Sequence, residues 1–360
     1  MSYATAKAAL NLGMTDRIPY WGCLPFQTDF LGKCSGMDPC ADPVQTSLKV
    51  IEKCGMSAVG GIFTDIPREA ELRESEAEYD KENKIGYTRN LGWGKSTWRE
   101  HTTFKTIEQV LEFDPTGYDT KNIDDIIAEC KKSMEDAGNM QKIVGERAWL
   151  IPPAGFYNTL FMWPIECFGW EMFLMTAAQE PEKFGRLLEK FAQISLKYIS
   201  AWASCANIEL FQSHDDLAST KGPMLNPEWY KKYIFPLYPQ IWKPLKDKGI
   251  KILFRGDGNM DEFTDDLVKC GVDGFHFRRE TNLKRLAEKY GKDKIIVGNI
   301  STQVLTFKGR KEIEDEVKRC VLEAGNCPGY FLNVAGEIPY NVPTENIEFL
   351  FEAIKKYGRR

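Results

Sequence analysis

Ile208-Glu209-Leu210-Phe211-Gln212-Ser213-His214-Asp215-Asp216 and Ile252-Leu253-Phe254-Arg255-Gly256-Asp257-Gly258-Asn259 are two apolar runs that each end in charge. A strand buried on both faces must be apolar along its length. The charges therefore mark where each strand leaves the core. In parallel α/β architectures that end is where ligands bind. Two ordinary strands followed by polar loops would give a similar pattern once, but the two matching acid clusters favour a site.

Working outward, the second half alternates strand and helix with short connections. Strands are expected at 250–255, 272–277, 294–299 and 330–335. Between them come helices stopped by Gly271, Gly291 and Gly325. Such alternation implies a parallel sheet. Further strands are expected at 18–23, 57–63, 142–150 and 207–213. Eight strands with intervening helices predict an α/β fold, a (β/α)8 TIM barrel spanning 1–360. A doubly wound open sheet competes less well, because no glycine-rich phosphate fingerprint follows any strand. From about 69 to 104 the pattern turns polar, with Tyr79, Ile85, Tyr87, Trp93 and Trp98 set between turn residues. This predicts a small antiparallel meander inserted after the second strand. Residues 181–205 carry a helical stripe (Phe184, Leu187, Leu188, Phe191, Ile194, Tyr198, Trp202), which is core packing.

Composition bounds the partners. The 360 residues are 43% hydrophobic and 28% charged, with a net charge of -5. With no basic block beyond Arg359-Arg360, nucleic acid is not expected. No apolar run reaches the roughly 20 residues of a membrane span, and no signal-peptide core opens the chain. Ten scattered cysteines then point to reduced thiols and a cytoplasmic location.

The strand ends of a barrel bring together Asp65, His214, Asp215, Asp216, Arg255, Asp257, His276, Asn299, Asn333 and Glu337. Crowded carboxylates raise one another's pKa and can act as acids. Arg255 offers a bidentate clamp for a carboxylate or phosphate, or an ion pair with Asp257. His214, beside two aspartates, is an acid–base or ligand candidate, or a satisfied loop histidine. His276, between Phe275 and Phe277, reads as a packed strand residue. Phe156, Tyr157 and Trp163, with Trp21, Phe26 and Trp93, either wall a pocket for a flat ligand or cover the barrel as core.

These residues carry a resemblance. Asp16-Arg17-Ile18-Pro19, Phe63-Thr64-Asp65-Ile66, Asp215-Asp216-Leu217, Gly222-Pro223-Met224, Asn226-Pro227-Glu228, Gly256-Asp257-Gly258-Asn259, Gly271-Val272-Asp273-Gly274 and Val342-Pro343-Thr344-Glu345-Asn346 resemble motifs of the uroporphyrinogen decarboxylase-like superfamily, which includes the corrinoid-dependent methyltransferases. The resemblance implies the same barrel, and it places Asp65 at the decarboxylases' catalytic aspartate. It departs from the decarboxylases at Cys23-Leu24-Pro25-Phe26-Gln27-Thr28, where their arginines grip porphyrinogen carboxylates. It departs from the zinc methyltransferases as well. Their His-x-Cys and later Cys correspond to Arg255, Asp257 and Glu337, which leaves no thiolate for zinc.

The resemblance thus implies a methyltransferase moving a methyl group between a small organic donor and the cobalt of a corrinoid; the aromatic-rich segment points to an aromatic methyl ether as a candidate donor. No Asp-x-His-x-x-Gly cobalamin motif is present, so a separate carrier protein would bring the corrinoid. The catalytic residues expected are Asp257, Glu337, His214 and Asp65. The substrate-binding residues expected are Arg255, Asp215, Asp216, Asn333, Trp21, Phe156, Tyr157 and Trp163. No metal ligand is assigned, and a homodimer is a candidate assembly. Decarboxylation of a smaller acid, or ligand binding without catalysis, are the alternatives.

Overall fold

Glycine stops and alternating burial divide the chain into parallel strands joined by helices. The computed structural model describes residues 2–66, 78–80, 85–91, 94–97 and 104–360. Its barrel strands are β1 (Trp21–Gly22), β2 (Ala58–Val59), β3 (Trp149–Leu150 continuing to Gly155–Phe156), β4 (Leu210–His214), β5 (Lys251–Gly256), β6 (Gly274–Phe277), β7 (Ile295–Val297) and β8 (Tyr330–Phe331). Each pairs in parallel with the next, from Trp21↔Ala58 round to Val297↔Phe331. β3 links the two ladders, its first part paired with β2 and its second with β4. A parallel bridge from Tyr20 to Leu332 returns the circuit from β8 to β1. The expected (β/α)8 TIM barrel is the observed architecture.

Strand alternation sorts side chains between two cores. Trp21, Ala58, Trp149, Leu210, Leu253, Ile295, Val297 and Phe331 fill the barrel interior. The helix Tyr3–Leu10 adds Ala6, Ala9 and Leu10 to this group and so packs against the interior. Outside the strands, the helix Pro181–Ala203 lays Phe184, Leu187, Leu188 and Phe191 into the larger core, as its stripe predicted.

One expectation needs correction, and one helix was not read from the sequence. Residues 142–148 are not strand. The helix Ile123–Val144 runs into them, buries Ile126, Cys130 and Val144, and gives way to a short 3-10 turn at Gly145–Arg147. The aromatic-rich segment after Pro152 contains a helix, Met162–Gln179, interrupted at Gly169 with φ 77°. That break and Pro164 hide the helical period from a sequence scan.

An antiparallel meander is present: Glu78–Asp80, Ile85–Leu91 and Gly94–Thr97 pair in chain order. The rest of the expected insertion, including Trp93 and Trp98, lies outside the described residues. No described helix is long and apolar enough to cross a membrane. All ten cysteines are free.

Candidate active site

The C-terminal mouth of the barrel is built from strand ends whose direction follows from alternation. Leu210 faces the interior, so His214, four residues on, does too. Ser213 and Asp215 face the helices. Ser213 Oγ is held by Thr159 Oγ1 at 2.9 Å and by Trp242 Nε1 at 3.1 Å. The His214 amide donates to Thr159 Oγ1 at 3.1 Å, and the Thr159 amide donates back to the His214 carbonyl at 2.8 Å. The histidine is thus fixed from behind.

In front, His214 Nε2 lies 3.0 Å from Asp216 Oδ1. The same oxygen accepts the Asp257 amide at 2.7 Å. The Asp257 carboxylate pairs with Arg278, not with Arg255. Arg278 in turn donates to the Ala335 carbonyl at 3.1 Å. The Tyr157 ring stands edge-on to His214 at 4.5 Å and is 65% exposed. One line of contacts therefore joins the ends of β4, β5, β6 and β8.

Burial opposes ionisation of Asp216, but the His214 hydrogen bond and charge, the Asp257 amide and Arg278 outweigh it. They hold the carboxyl below its ordinary range. Mutual elevation of crowded carboxylates, expected from sequence, does not govern Asp216. With Asp216 accepting from Nε2, His214 leaves Nδ1 for a ligand. His214, Asp216 and Asp257 also offer metal-ligand atoms within 4.8 Å of one another.

Deeper in the mouth, His276 Nε2 is 3.0 Å from Asn333 Oδ1, and Asn333 Nδ2 donates to the Trp21 carbonyl at 2.8 Å. Trp21 is buried and meets His276 edge-on at 6.4 Å, so it floors the site instead of walling it. Burial first, then the charge of Arg255, hold the His276 imidazole well below its ordinary pKa. At the rim, the Cys23 thiol meets Glu337 Oε1 at 3.9 Å. Burial and Glu337 push that thiol up to about 12, against a downward pull from Arg255. Glu337 is exposed, and so is Asp65. No hydrogen bond or ion pair joins Asp65 to this group among the described residues.

Three expected binding residues face elsewhere. Asp215 is fully buried, and its carboxylate accepts from Leu160 N at 2.7 Å, Met162 N at 3.0 Å and Tyr238 Oη at 2.8 Å. It anchors the segment after β3 to the end of β4 and has nothing left for a ligand. Phe156 stacks on Tyr198 at 5.4 Å and meets Trp163 at 5.6 Å, and Trp163 packs on Phe191. Both belong to the helix layer because Phe156 shares the outward register of Ser213. Sequence reading missed Arg278 and Cys23 as mouth residues, and it set His276 aside as a packed strand residue. Alternation from Leu253 and Trp21 would have turned His276 and Cys23 inward; nothing in sequence marked Arg278.

The loop carrying Asp257 depends on Gly258, whose φ is +83°. A Cβ there would stand 2.2 Å from the Ala218 carbonyl oxygen, and the neighbouring Asn259 amide bonds Ser219 O at 2.9 Å. Gly258→Ala is expected to cost at least about 2 kcal/mol through backbone strain and clash. Urea unfolding would measure it, and an unchanged free energy would show that the loop has another conformation available. A concavity of about 690 Å³ surrounds Trp149 and Ser204–Cys205 at the start of β3 and before β4. It is remote from these charged strand ends, so it is not the site.

A family model described as uroporphyrinogen decarboxylase (URO-D) matches residues 155–357, more than half of the chain. The chain belongs to the uroporphyrinogen decarboxylase family. The match takes in β4 to β8 and with them His214, Arg255, Asp257, His276 and Asn333. The uroporphyrinogen decarboxylase of Carboxydothermus hydrogenoformans is 27% identical over 176 residues, 49% of this chain and 48% of that protein. That of Trichlorobacter lovleyi is 26% identical over 225 residues, 60% and 63% of the two chains. The chain spans about half the length of the first of the curated relatives it matches. A methyltransferase from Methanosarcina mazei superposes with a TM-score of 0.61 at 15% identity, covering 99% of this chain and 98% of the other. That likeness establishes a shared fold over the whole length.

Proposed function

We propose that this family member is a methyltransferase that moves a methyl group between a small organic donor and the cobalt of a corrinoid. The observation that carries this is the His214–Asp216–Asp257–Arg278 line at an open mouth. It offers a proton donor with a fixed counter-charge where a leaving oxygen would stand. Cys23 to Thr28 contains no arginine to hold a polyacidic tetrapyrrole. The Methanosarcina mazei methyltransferase supports the same direction through its near-complete structural overlap.

In this scheme the donor's O–CH3 bond breaks, the methyl leaves to the nucleophile, and the oxygen takes a proton from His214. Asp216 keeps the imidazole oriented and balances its charge. Asp257 and Arg278 fix Asp216, while Arg255 and Asn333 lie on the substrate side. Glu337 and Asp65 sit at the exposed rim, where a carrier protein would dock. The corrinoid, when presented by that carrier, supplies the nucleophile that accepts the methyl group. The donor set fits a zinc–thiolate centre poorly. The expected thiolate positions hold Asp257 and Glu337, and the Cys23 sulfur beside Glu337 is kept protonated.

The test is anaerobic absorbance of cob(I)alamin mixed with the protein, a carrier protein and a panel of methylated donors. Conversion to methylcobalamin with one donor, lost in Asp257→Ala, is the expected result. Carbon dioxide release from a carboxylic acid without corrinoid would instead establish decarboxylation, which the names of the curated relatives favour.

A further inference from the structure

Two polar groups inside the mouth have unused hydrogen-bonding capacity, and they are neighbours. Arg255 and His276 are register partners on β5 and β6, so both side chains enter the barrel. His276 is 4% exposed. Asn333 spends its amide hydrogens on the Trp21 carbonyl, so its Oδ1 is an acceptor and the hydrogen of the 3.0 Å contact belongs to His276 Nε2. Nδ1 is then a bare lone pair, buried and unbonded. An orphaned buried acceptor of this kind calls for a donor from outside the chain.

Arg255 supplies the opposite need. Its guanidinium carries five donors and has no hydrogen bond or ion pair among the described residues. Its charge is felt by Cys23 after β1, across the ring from β5, and by Tyr157 after β3, against the upward effects of burial and carboxylates on both groups. The guanidinium therefore reaches towards the barrel axis. The carboxylates that would normally neutralise it are engaged elsewhere: Asp216 with His214 and Asp257 with Arg278. One unpaired guanidinium in a mouth that also carries Asp216, Asp257 and Glu337 suits a monoanion better than a phosphate dianion, which those carboxylates would repel more strongly.

We propose that this recess binds the carboxylate of an acidic substrate on Arg255 and takes a hydroxyl or amine hydrogen of the same molecule on Nδ1 of His276. The methyl donor is then a methylated acid with a hydrogen-bond donor close to its carboxylate, not a neutral ether. Its identity as the methyl donor rests on the methyltransferase reading above; recognition of the acid by Arg255 and His276 does not.

The chain holds three histidines, so nitrogen NMR of histidine-labelled protein can follow His276 directly. The probes are acetate, glycolate and ethylene glycol, small enough to enter any mouth of this kind. Unliganded His276 is expected as the Nε2–H tautomer. Acetate and glycolate should both bind, glycolate alone should shift the Nδ1 resonance, and ethylene glycol should do neither. Arg255→Gln should weaken both acids about tenfold or more, the range of a charge-assisted hydrogen bond. Arg255→Lys should recover part of that loss, and an unchanged His276 tautomer would show that the variants are folded.

Glycolate that leaves His276 unmoved, or acids that bind Arg255→Gln as well as wild type, would overturn the proposal. Equal shifts with acetate and glycolate would remove the His276 contact. Acid binding without methyl transfer from any donor would overturn only the methyltransferase reading. Transfer from a neutral ether at equal rates in wild type and Arg255→Gln would overturn only the acid recess.

Discussion

Asp216→Asn is expected to lower kcat for the proposed methyl transfer by about 10²- to 10⁴-fold, the usual contribution of a positioned acid or base, with KM little changed. The asparagine oxygen can still accept one hydrogen bond, so the loop geometry has a way to persist. The counter-charge facing His214 is gone, however, and Asn cannot stabilise the cationic form of the imidazole. The 3.0 Å contact to His214 and the 2.7 Å contact to the Asp257 amide converge on one oxygen. The substitution therefore strikes the group that couples the ends of β4 and β5. His214→Gln should cost about as much, and the double variant little more than either, since residues acting as one unit are not additive. Steady-state kinetics of the three variants with the donor found in the cobalamin assay would decide it. Wild-type kcat in Asp216→Asn would remove His214 as the acid. Additive losses would separate the two residues into independent roles.

Why these two residues were legible in sequence while others were not follows from what a strand records. A barrel strand buried on both faces appears as an apolar run, and the first charges after it appear as a site, which is how His214, Asp216 and Asp257 come to notice. The same run does not show which charges turn inward. Asp215 and Asp216 are adjacent and chemically identical, yet one faces the helices and the other the mouth. The clue was available at Leu210 and Gln212, whose inward register carries His214 in and turns Asp215 out. Phe156 follows the same rule, as the partner of outward Ser213. His276 was masked by its neighbours, because Phe275 and Phe277 face the outer core while the histidine between them faces in. Arg278 had no signal at all. It lies beyond its strand, and its partner Asp257 is 21 positions away, so only the assembled ring reveals the pair. The helix Met162–Gln179 was lost for a different reason: Pro164 and Gly169 break the period that identifies a helix.

The anchor beneath the site should prove as costly to remove as the acid above it. Asp215→Ala is expected to destabilise the fold by about 3–5 kcal/mol at pH 5, because it strands buried donors around a vacated space. Those donors are the Leu160 and Met162 amides and the Tyr238 hydroxyl, all without another acceptor at the aspartate's position. The pH dependence gives a sharper test with the isosteric Asp215→Asn. Burial raises the Asp215 carboxyl from 3.8 to about 6, against the pull of the hydrogen bonds it accepts. A carboxyl with a raised pKa binds its proton more tightly in the folded chain than in the unfolded one. Its contribution to stability is therefore full below about pH 4 and is lost as pH rises through 6. At 1.36 kcal/mol per unit, the loss amounts to about 3 kcal/mol. Asparagine cannot titrate, so the stability gap between wild type and Asp215→Asn should shrink by most of that amount between pH 4 and pH 7 in urea unfolding. A gap that widens instead would mean that the donors outweigh burial and hold the folded carboxyl below its ordinary pKa. Asp215 would then be a buried anion pinning the segment after β3, and the rigidity of His214 above it would rest on charge as well as on packing.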